Sequence, residues 1–217
     1  MADYRQQQGD WVVKAASIAA IATDSALVVS LSPNSPLPTG TNAIGTVNVA
    51  PSTAPSTYAA STNGLVLAAS ATDVFTITGS ASKTIRVTKV MFNAIQTTAA
   101  QVGVVLLRRS TANTGGTSTA PTAVNYDTAN AAATATVAAY TANPTTTGTL
   151  VGNLYVQRVF VPGAATASDA QGLSETFGDF GQQPFVLRGA AQQLAINLAG
   201  VSVVGGSANI TVEWTES

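Results

Sequence analysis

The sequence predicts an all-β fold: an antiparallel β-sandwich, jelly-roll-like in arrangement, that follows an extended N-terminal arm. From about residue 65 onward, short runs rich in β-branched residues alternate with Gly, Asn, Ser and Pro, which is the pattern of strands and turns. No long amphipathic helical pattern separates these runs, which disfavours a parallel βαβ sheet. The crowding of prolines near the N-terminus predicts the arm.

The arm is assigned to residues 1–64, which hold five of the nine prolines. The stretch 32–41 cannot form a helix or a central strand, because proline lacks an N–H and restricts the residue before it to extended geometry. Two short apolar runs, 26–31 and 44–49, interrupt the arm. We expect these runs to lie along a neighbouring protein by strand addition to a sheet edge, with a disordered linker as the alternative.

The sandwich domain is assigned to residues 65–217, with about eight predicted strands. These are Asp73–Thr78, Lys83–Phe92, Val102–Arg109, a strand ending near Thr141, Leu150–Val161, Phe185–Arg188, Gln192–Leu198 and Asn209–Glu213. Strands at this spacing are typical of a sandwich or barrel, and an eight-stranded double sheet is the jelly-roll arrangement. We therefore prefer a jelly roll among sandwiches, although the pattern does not give the strand connectivity.

Alternation places Ile210, Val212 and Trp214 on the inward face of the last strand. In Lys83–Phe92 the alternation slips near Lys89, which predicts a β-bulge.

Two regions, 110–123 and 162–182, are predicted to be loops because they are rich in Ser, Thr, Gly and Asn or carry polar and acidic residues. Between them, an Ala-rich stretch predicts a helical turn near 128–133, followed by a strand. One face of the strand 150–161 carries Leu154, Val156 and Phe160.

Charge is the outlier of the composition. Charged residues make up 9% of the 217 residues, against roughly 25% in a typical soluble domain. Because a free monomer normally depends on a mixed charged surface for solubility, we expect this neutral, hydroxyl-rich chain to cover much of its surface with partners. A Thr- and Ser-coated monomer is the alternative.

The composition also argues against several function classes. A net charge of −1 leaves no basic excess to neutralise phosphates, which disfavours nucleic-acid binding. The chain has no Cys and no His, so thiol chemistry and the commonest metal ligand and general base are absent. The apolar stretch 11–31 is interrupted by Lys14 and Asp24, so no membrane span is predicted. The polar N-terminus does not resemble an export signal.

Two motifs with possible chemistry are assigned structural roles. Ser80-Ala-Ser-Lys83 matches the S-x-x-K spacing of penicillin-recognising enzymes, but it joins two predicted strands and lacks the companion motifs, so we predict a turn. Asp169, Glu175 and Asp179 offer oxygens that suit a hard cation, but their spacing fits no calcium loop. We predict no catalytic, cofactor or metal site.

The candidate functional residues are therefore interface residues. The strand Val102–Arg109 is apolar on both faces, as in a central strand or one covered by a partner, and it ends in two arginines, a residue type enriched at interfaces. The arm supplies the remaining candidates. The full set is Val102, Val104, Leu106, Arg108, Arg109, Ile44, Val47 and Val49.

Three parts of the sequence resemble virion structural proteins of tailed bacteriophages. The segment Pro38–Val49 is similar to a proline- and glycine-punctuated segment of such proteins. Ala69–Ser80 with Thr84–Val90 resembles the opening strands of phage β-sandwich proteins, and the runs that begin at Val186, Leu194 and Ile210 resemble their closing strands. Together these cover about half of the chain, and none is a catalytic or binding signature.

The resemblance implies a particle component that assembles in the cytoplasm of a bacterial host. The leading expectation is a capsid decoration or cement protein, a homotrimer that contacts the major capsid protein or other virion proteins. A tail, baseplate or head-fibre component is the first alternative. A carbohydrate- or receptor-binding jelly roll is the second, and exposure of Tyr126, Tyr140, Phe177 or Phe180 on one rim would favour it.

Overall fold

The computed structural model describes residues 55–165, 171–201 and 203–217. Within these ranges the chain forms twelve β-strands and one 3₁₀ turn at Asp179–Gly181. The strands are β1 (Ser56–Val66), β2 (Asp73–Thr78), β3 (Ile85–Ile95), β4 (Ala100–Arg109), β5 (Thr117–Thr119), β6 (Val124–Asn125), β7 (Thr136–Ala142), β8 (Leu150–Val161), β9 (Leu173–Thr176), β10 (Phe185–Leu187), β11 (Gln193–Asn197) and β12 (Ser207–Glu216). The predicted all-β class is confirmed. No helix in the described ranges has the length and apolar character needed to cross a membrane.

The strands form two six-stranded sheets that face each other across one apolar core. The first sheet has the order β10-β3-β12-β1-β6, with β9 also paired to β3. The second sheet has the order β5-β7-β2-β11-β4-β8. Pairs of these strands are antiparallel throughout. The predicted antiparallel β-sandwich is therefore confirmed.

The order of the main strands is that of a jelly roll. With β9 and β10 counted as one strand and β5–β7 set aside, eight strands remain, and the first pairs with the last, the second with the seventh, the third with the sixth and the fourth with the fifth. Successive pairs lie alternately in the first and the second sheet, as in a double-sheet jelly roll. The strands β5, β6 and β7 belong to an insertion between β4 and β8 that widens both sheets on one side.

The last strand, β12, supplies the centre of the core. Ile210, Val212 and Trp214 are at most 1% exposed, which confirms the inward face predicted from the alternation. The ring of Trp214 stacks on that of Tyr58 in β1, with the ring centroids 5.8 Å apart. Large aromatic rings bury much apolar surface and gain further from such stacking, so this pair joins two adjacent strands strongly.

Two further details of the strand prediction are confirmed. The strands β2 and β8 have the predicted bounds. The register between β3 and β12 shifts where Glu213 pairs with Lys89 but Trp214 pairs with Val87, which leaves Thr88 as the extra residue of a bulge. The Thr88 hydroxyl donates to the carbonyl oxygen of Glu213 at 3.2 Å, so its side chain holds the bulge in place.

The boundary between arm and sandwich lies earlier than expected. The described chain is already a strand from Ser56, within the predicted arm 1–64, and β1 pairs with β12 along most of its length. The strand is difficult to predict from its polar sequence, because Tyr58 and Ala60 are the only buried apolar residues of β1 before residue 65. The rest of the predicted arm, residues 1–54, lies outside the described residues.

Two local predictions are also corrected. The segment 128–133 is not helical: a hydrogen-bonded turn, from the amide of Asn130 to the carbonyl oxygen of Asp127, leads into extended chain. The predicted loop 162–182 contains β9, where Leu173 is buried against the core. In the second case pairing of β9 with β3, rather than local propensity, determines the conformation.

We expect a chain that begins at residue 65 to be less stable than one that begins at residue 55, by at least about 4 kcal/mol in the free energy of unfolding. The shorter chain loses most of β1 and the buried ring of Tyr58, and deletion of a large core aromatic costs about 3–5 kcal/mol. Chemical denaturation of both chains, followed by tryptophan fluorescence, measures the difference. Equal stabilities would show that β1 does not contribute to the sandwich.

Candidate functional site

The structure places three of the predicted interface residues in the core. Val102, Val104 and Leu106 in β4 are completely buried and belong to the core between the sheets, and β4 is an interior strand between β11 and β8. Of the two interpretations of this two-faced apolar strand, the central strand is the one observed. These three side chains cannot reach a partner while the sandwich is folded.

Arg108 links the two sheets. Its guanidinium donates to the carbonyl oxygen of Val186 at 2.6 Å and to the side-chain oxygen of Gln192 at 3.1 Å. The same group lies 5.1 Å from the centre of the Phe185 ring, within the range of a cation–π contact. These contacts connect β4 to β10 within the chain, and the interface role of the half-buried Arg108 stays a prediction.

Arg109 binds a buried carboxylate on the outer side of the second sheet. Its Nε and Nη2 atoms donate to the two oxygens of Asp73 at 2.7 and 2.9 Å. Asn113 and Asn197 donate to the same carboxylate at 2.7 and 2.6 Å. Four donors thus surround Asp73, which is completely buried, and a paired and hydrogen-bonded charge of this kind tolerates burial.

The loop that follows β4 and the loop that precedes β8 close over this carboxylate. Arg109 donates to the carbonyl oxygen of Gly148 at 2.6 Å, and the Gly148 amide donates to Asn113 at 2.8 Å. A Cβ atom at residue 148 would lie 1.8 Å from the carbonyl oxygen of Thr111, so only glycine fits there. The cluster around Asp73 holds the insertion onto the sheet and leaves no open site for a ligand.

A second buried carboxylate, Glu216, lies at the end of β12. It accepts hydrogen bonds from the Trp214 indole, from the amides of Thr134 and Ala135, and from the Thr134 hydroxyl, all between 2.7 and 3.0 Å. The Lys83 ammonium lies 3.7 Å away. Burial raises the pKa of the Glu216 carboxyl, but the hydrogen bonds outweigh burial, so its pKa lies below the ordinary value for glutamate.

The S-x-x-K segment is a turn, as predicted. The Ser80 hydroxyl oxygen accepts hydrogen bonds from the amides of Ser82 and Lys83 at 3.2 and 3.3 Å, and the segment joins β2 to β3. The hydroxyl is thus used to close the turn, and the Lys83 ammonium faces Glu216 rather than Ser80.

Of the three acidic residues considered as cation ligands, Glu175 lies in β9 and Asp179 in the 3₁₀ turn. Asp169 lies outside the described residues, as do Ile44, Val47 and Val49 of the predicted interface. Among the described residues, no group of three or more acidic side chains is placed to hold a metal ion.

The four aromatic residues that would indicate a sugar-binding rim do not share one. Tyr140 is buried, and Phe177 packs against Phe185 with ring centroids 6.4 Å apart. Tyr126 and Phe180 are exposed, but Tyr126 follows β6 at one edge of the first sheet, whereas Phe180 lies between β9 and β10 at the other. This arrangement does not favour the carbohydrate-binding alternative.

Among the described residues, the largest concentration of exposed apolar side chains lies on β8. This strand is an edge of the second sheet and is twelve residues long, and Gln171 is hydrogen-bonded to its Phe160. Arg158 is its one charged residue. We define the β8 surface as the four exposed side chains Leu150, Val151, Leu154 and Val156. An exposed, long and apolar edge strand is a site at which other chains associate, and soluble monomers normally protect such an edge with charges.

The sequence pattern identified the β8 face but not its direction. The sequence predicts that Leu154, Val156 and Phe160 share one face. In the structure, Val156 pairs with Val105 of β4 and Phe160 pairs with Gln101, and both side chains lie on the outer side of the sheet. Arg158 alternates in step with Val156 and Phe160, and a charged residue at this position could have indicated that this face is exposed. Tyr155, Val159 and Val161 face the core instead.

Comparison with known proteins gives no relative: no family model, no curated protein and no solved structure matches the chain.

We expect Asp73→Asn to lower the free energy of unfolding by about 3–5 kcal/mol, because it leaves the Arg109 guanidinium buried beside a neutral amide. Asp127→Asn is the matched control. Asp127 accepts the Ala129 amide in an exposed turn, which an asparagine can also do, so its effect should be within about 0.5 kcal/mol. Denaturant unfolding of the three proteins measures both changes, and equal effects would contradict the structural role of Asp73.

Glu216 should make stability depend on pH in the acid range. Because its pKa is lower in the folded chain than in the unfolded chain, its stabilisation is fully present above about pH 4.3 and is lost as pH falls through the folded-state pKa. Glu216→Gln should destabilise the protein at pH 7 by about 3 kcal/mol and weaken the loss of stability on acidification. The control is Glu213→Gln, on the outward face of the same strand.

Thermal unfolding of both variants between pH 7 and pH 3 tests this expectation. A Glu216→Gln curve that runs parallel to that of the unaltered protein would contradict it.

Proposed function

We propose that this chain is a virion structural protein of a tailed bacteriophage, a capsid decoration or cement protein. It acts by self-association and by contacts with the major capsid protein or other virion proteins. In this proposal the chain assembles in the cytoplasm of the bacterial host and remains in the virion.

The observation that carries the proposal is the β8 surface. Leu150, Val151, Leu154 and Val156 are exposed along one edge strand, on a chain of which only 9% is charged. Protein interfaces are depleted in charged residues at their centres, and contiguous exposed apolar patches mark sites of association. A surface of this kind favours a protein that works while covered by its neighbours.

The use of the buried polar groups supports the same conclusion. Asp73 and Glu216 each have several protein donors on their carboxylate oxygens. Both carboxylates hold parts of the insertion between β4 and β8 in place. Their oxygens accept hydrogen bonds from donors within the fold, which suits a rigid structural protein better than an enzyme.

The copy number expected from the resemblance is three. In a repeating shell, each copy contributes a modest interface, and many copies together add avidity without one strong contact. A closed trimer whose apolar edges are covered by its own copies fits that use.

Immunogold electron microscopy tests the proposal. Antibodies raised against the purified chain are applied to phage particles released from the bacterium that carries its gene. We expect gold label distributed over the heads, and loss of the label when the antibody is first mixed with the purified chain. Label confined to tails or fibres would replace the decoration role with the first alternative. Particles without label would overturn the virion role.

A further inference from the structure

One lateral side of the sandwich ends in β8, whose Val156 side chain lies on the outer side of the second sheet, and also carries a protruding aromatic ring. In the second sheet this side ends in β8, and in the first it ends in β9 and β10, which pair with β3. The strands β3 and β8 contact each other across the sandwich, so the two sheet edges lie on the same side. Phe180 lies in the connection between β9 and β10.

Phe180 has an unusual backbone conformation and an unused side chain. Its φ and ψ angles are 53° and 32°, in the left-handed region that bulky residues rarely adopt and that costs about 1–2 kcal/mol. Its ring is completely exposed, so it gains nothing from packing within the chain. Strain of this kind persists at functional positions, and a fully exposed phenylalanine suits a contact with another molecule.

The edge of β8 is better suited to side-chain packing than to strand addition. Its register with β4 shifts at two places, where Leu154 and Val151 are extra residues. Bulges twist an edge strand away from regular pairing. The four apolar side chains of the β8 surface therefore require cover from side chains of a neighbour, and an aromatic ring supplies a large apolar area with little entropy cost.

Charges point to the same pairing. Arg158 is the one charged residue of β8 and is exposed next to the β8 surface. Asp179, also exposed, directly precedes Phe180. Neither side chain has an ion-pair partner among the described residues. A neighbour that places Phe180 on β8 would bring Asp179 toward Arg158, with opposite signs.

We infer that a second copy of this chain covers the β8 surface, with Phe180 of one copy packed against Leu154 and Val156 of the next and Asp179 close to Arg158. The inference rests on the self-association in the proposed function and names its contact. A twelve-residue strand is about 40 Å long, so the contact can extend along the length of the sandwich, and a stable interface buries roughly 800 Å² per partner.

The contact joins two different patches of the chain, and a contact of this kind forms a ring when the rotation between copies closes. Three copies arranged with this side toward the axis would each give one Phe180 and receive one. The trimer expected from the sequence is thereby given a specific geometry.

Light scattering coupled to size exclusion tests the contact on the full chain over a range of concentrations. The unaltered protein should have about three times the 21.8 kDa chain mass. Phe180→Ala and Val156→Lys should each weaken association at least about ten-fold. Val124→Lys is the matched control, because Val124 is 60% exposed and Val156 62%, but Val124 lies in β6 on the opposite lateral side.

A charge exchange adds a specific test. Arg158→Glu and Asp179→Arg should each weaken association, and the double variant should recover most of the loss. Thermal unfolding of every variant checks that the sandwich is intact.

A monomeric unaltered protein at high concentration would overturn the inference. Equal behaviour of Val156→Lys and Val124→Lys, or a double charge variant weaker than both single variants, would also overturn it. If virion heads are labelled but one of these results is obtained, the virion role stands and this contact is wrong. If the trimer is intact but particles are unlabelled, the contact stands and the virion role is wrong.

Discussion

The contact on which the architecture depends is the buried group formed by Tyr58, Trp214 and Glu216. The two stacked rings join β1 to β12 inside the core, and the indole donates to Glu216. Glu216 in turn holds the amides of Thr134 and Ala135. These amides lie where the insertion passes from β6 in the first sheet to β7 in the second, so a single carboxylate connects the core to the crossing between the sheets.

The scarcity of charge makes each buried ion consequential. Asp73 performs for the second sheet what Glu216 performs for the first: it gathers donors from Arg109, Asn113 and Asn197 and closes the insertion over the outer face. Losing one partner of such a group leaves an uncompensated charge in a medium of low dielectric constant. In the described part of the chain, both of these carboxylates are committed to the fold.

The described surface has a feature that is suited to association with another chain. The β8 edge combines length, apolar side chains and a single charge, and the exposed ring of Phe180 lies on the same lateral side of the sandwich. An apolar patch without charges gains free energy whenever it is covered, and the neighbouring Asp179 and Arg158 would set the direction of that cover. Association through shape and burial, rather than chemistry at a cleft, is what this arrangement supports.

The alternation of apolar residues determined the strands β2, β8 and β12, the inward face of Trp214 and the bulge at Thr88, because side-chain direction along a strand follows a local period of two. The start of β1, the strand β9 and the assignment of Val102, Val104 and Leu106 to the core depended on tertiary structure. A periodic pattern shows that one face is apolar, but only the neighbouring strands decide whether that face meets the core, the solvent or another chain. For the same reason the β8 surface and the partners of Arg108 and Arg109 became visible only in the folded sandwich.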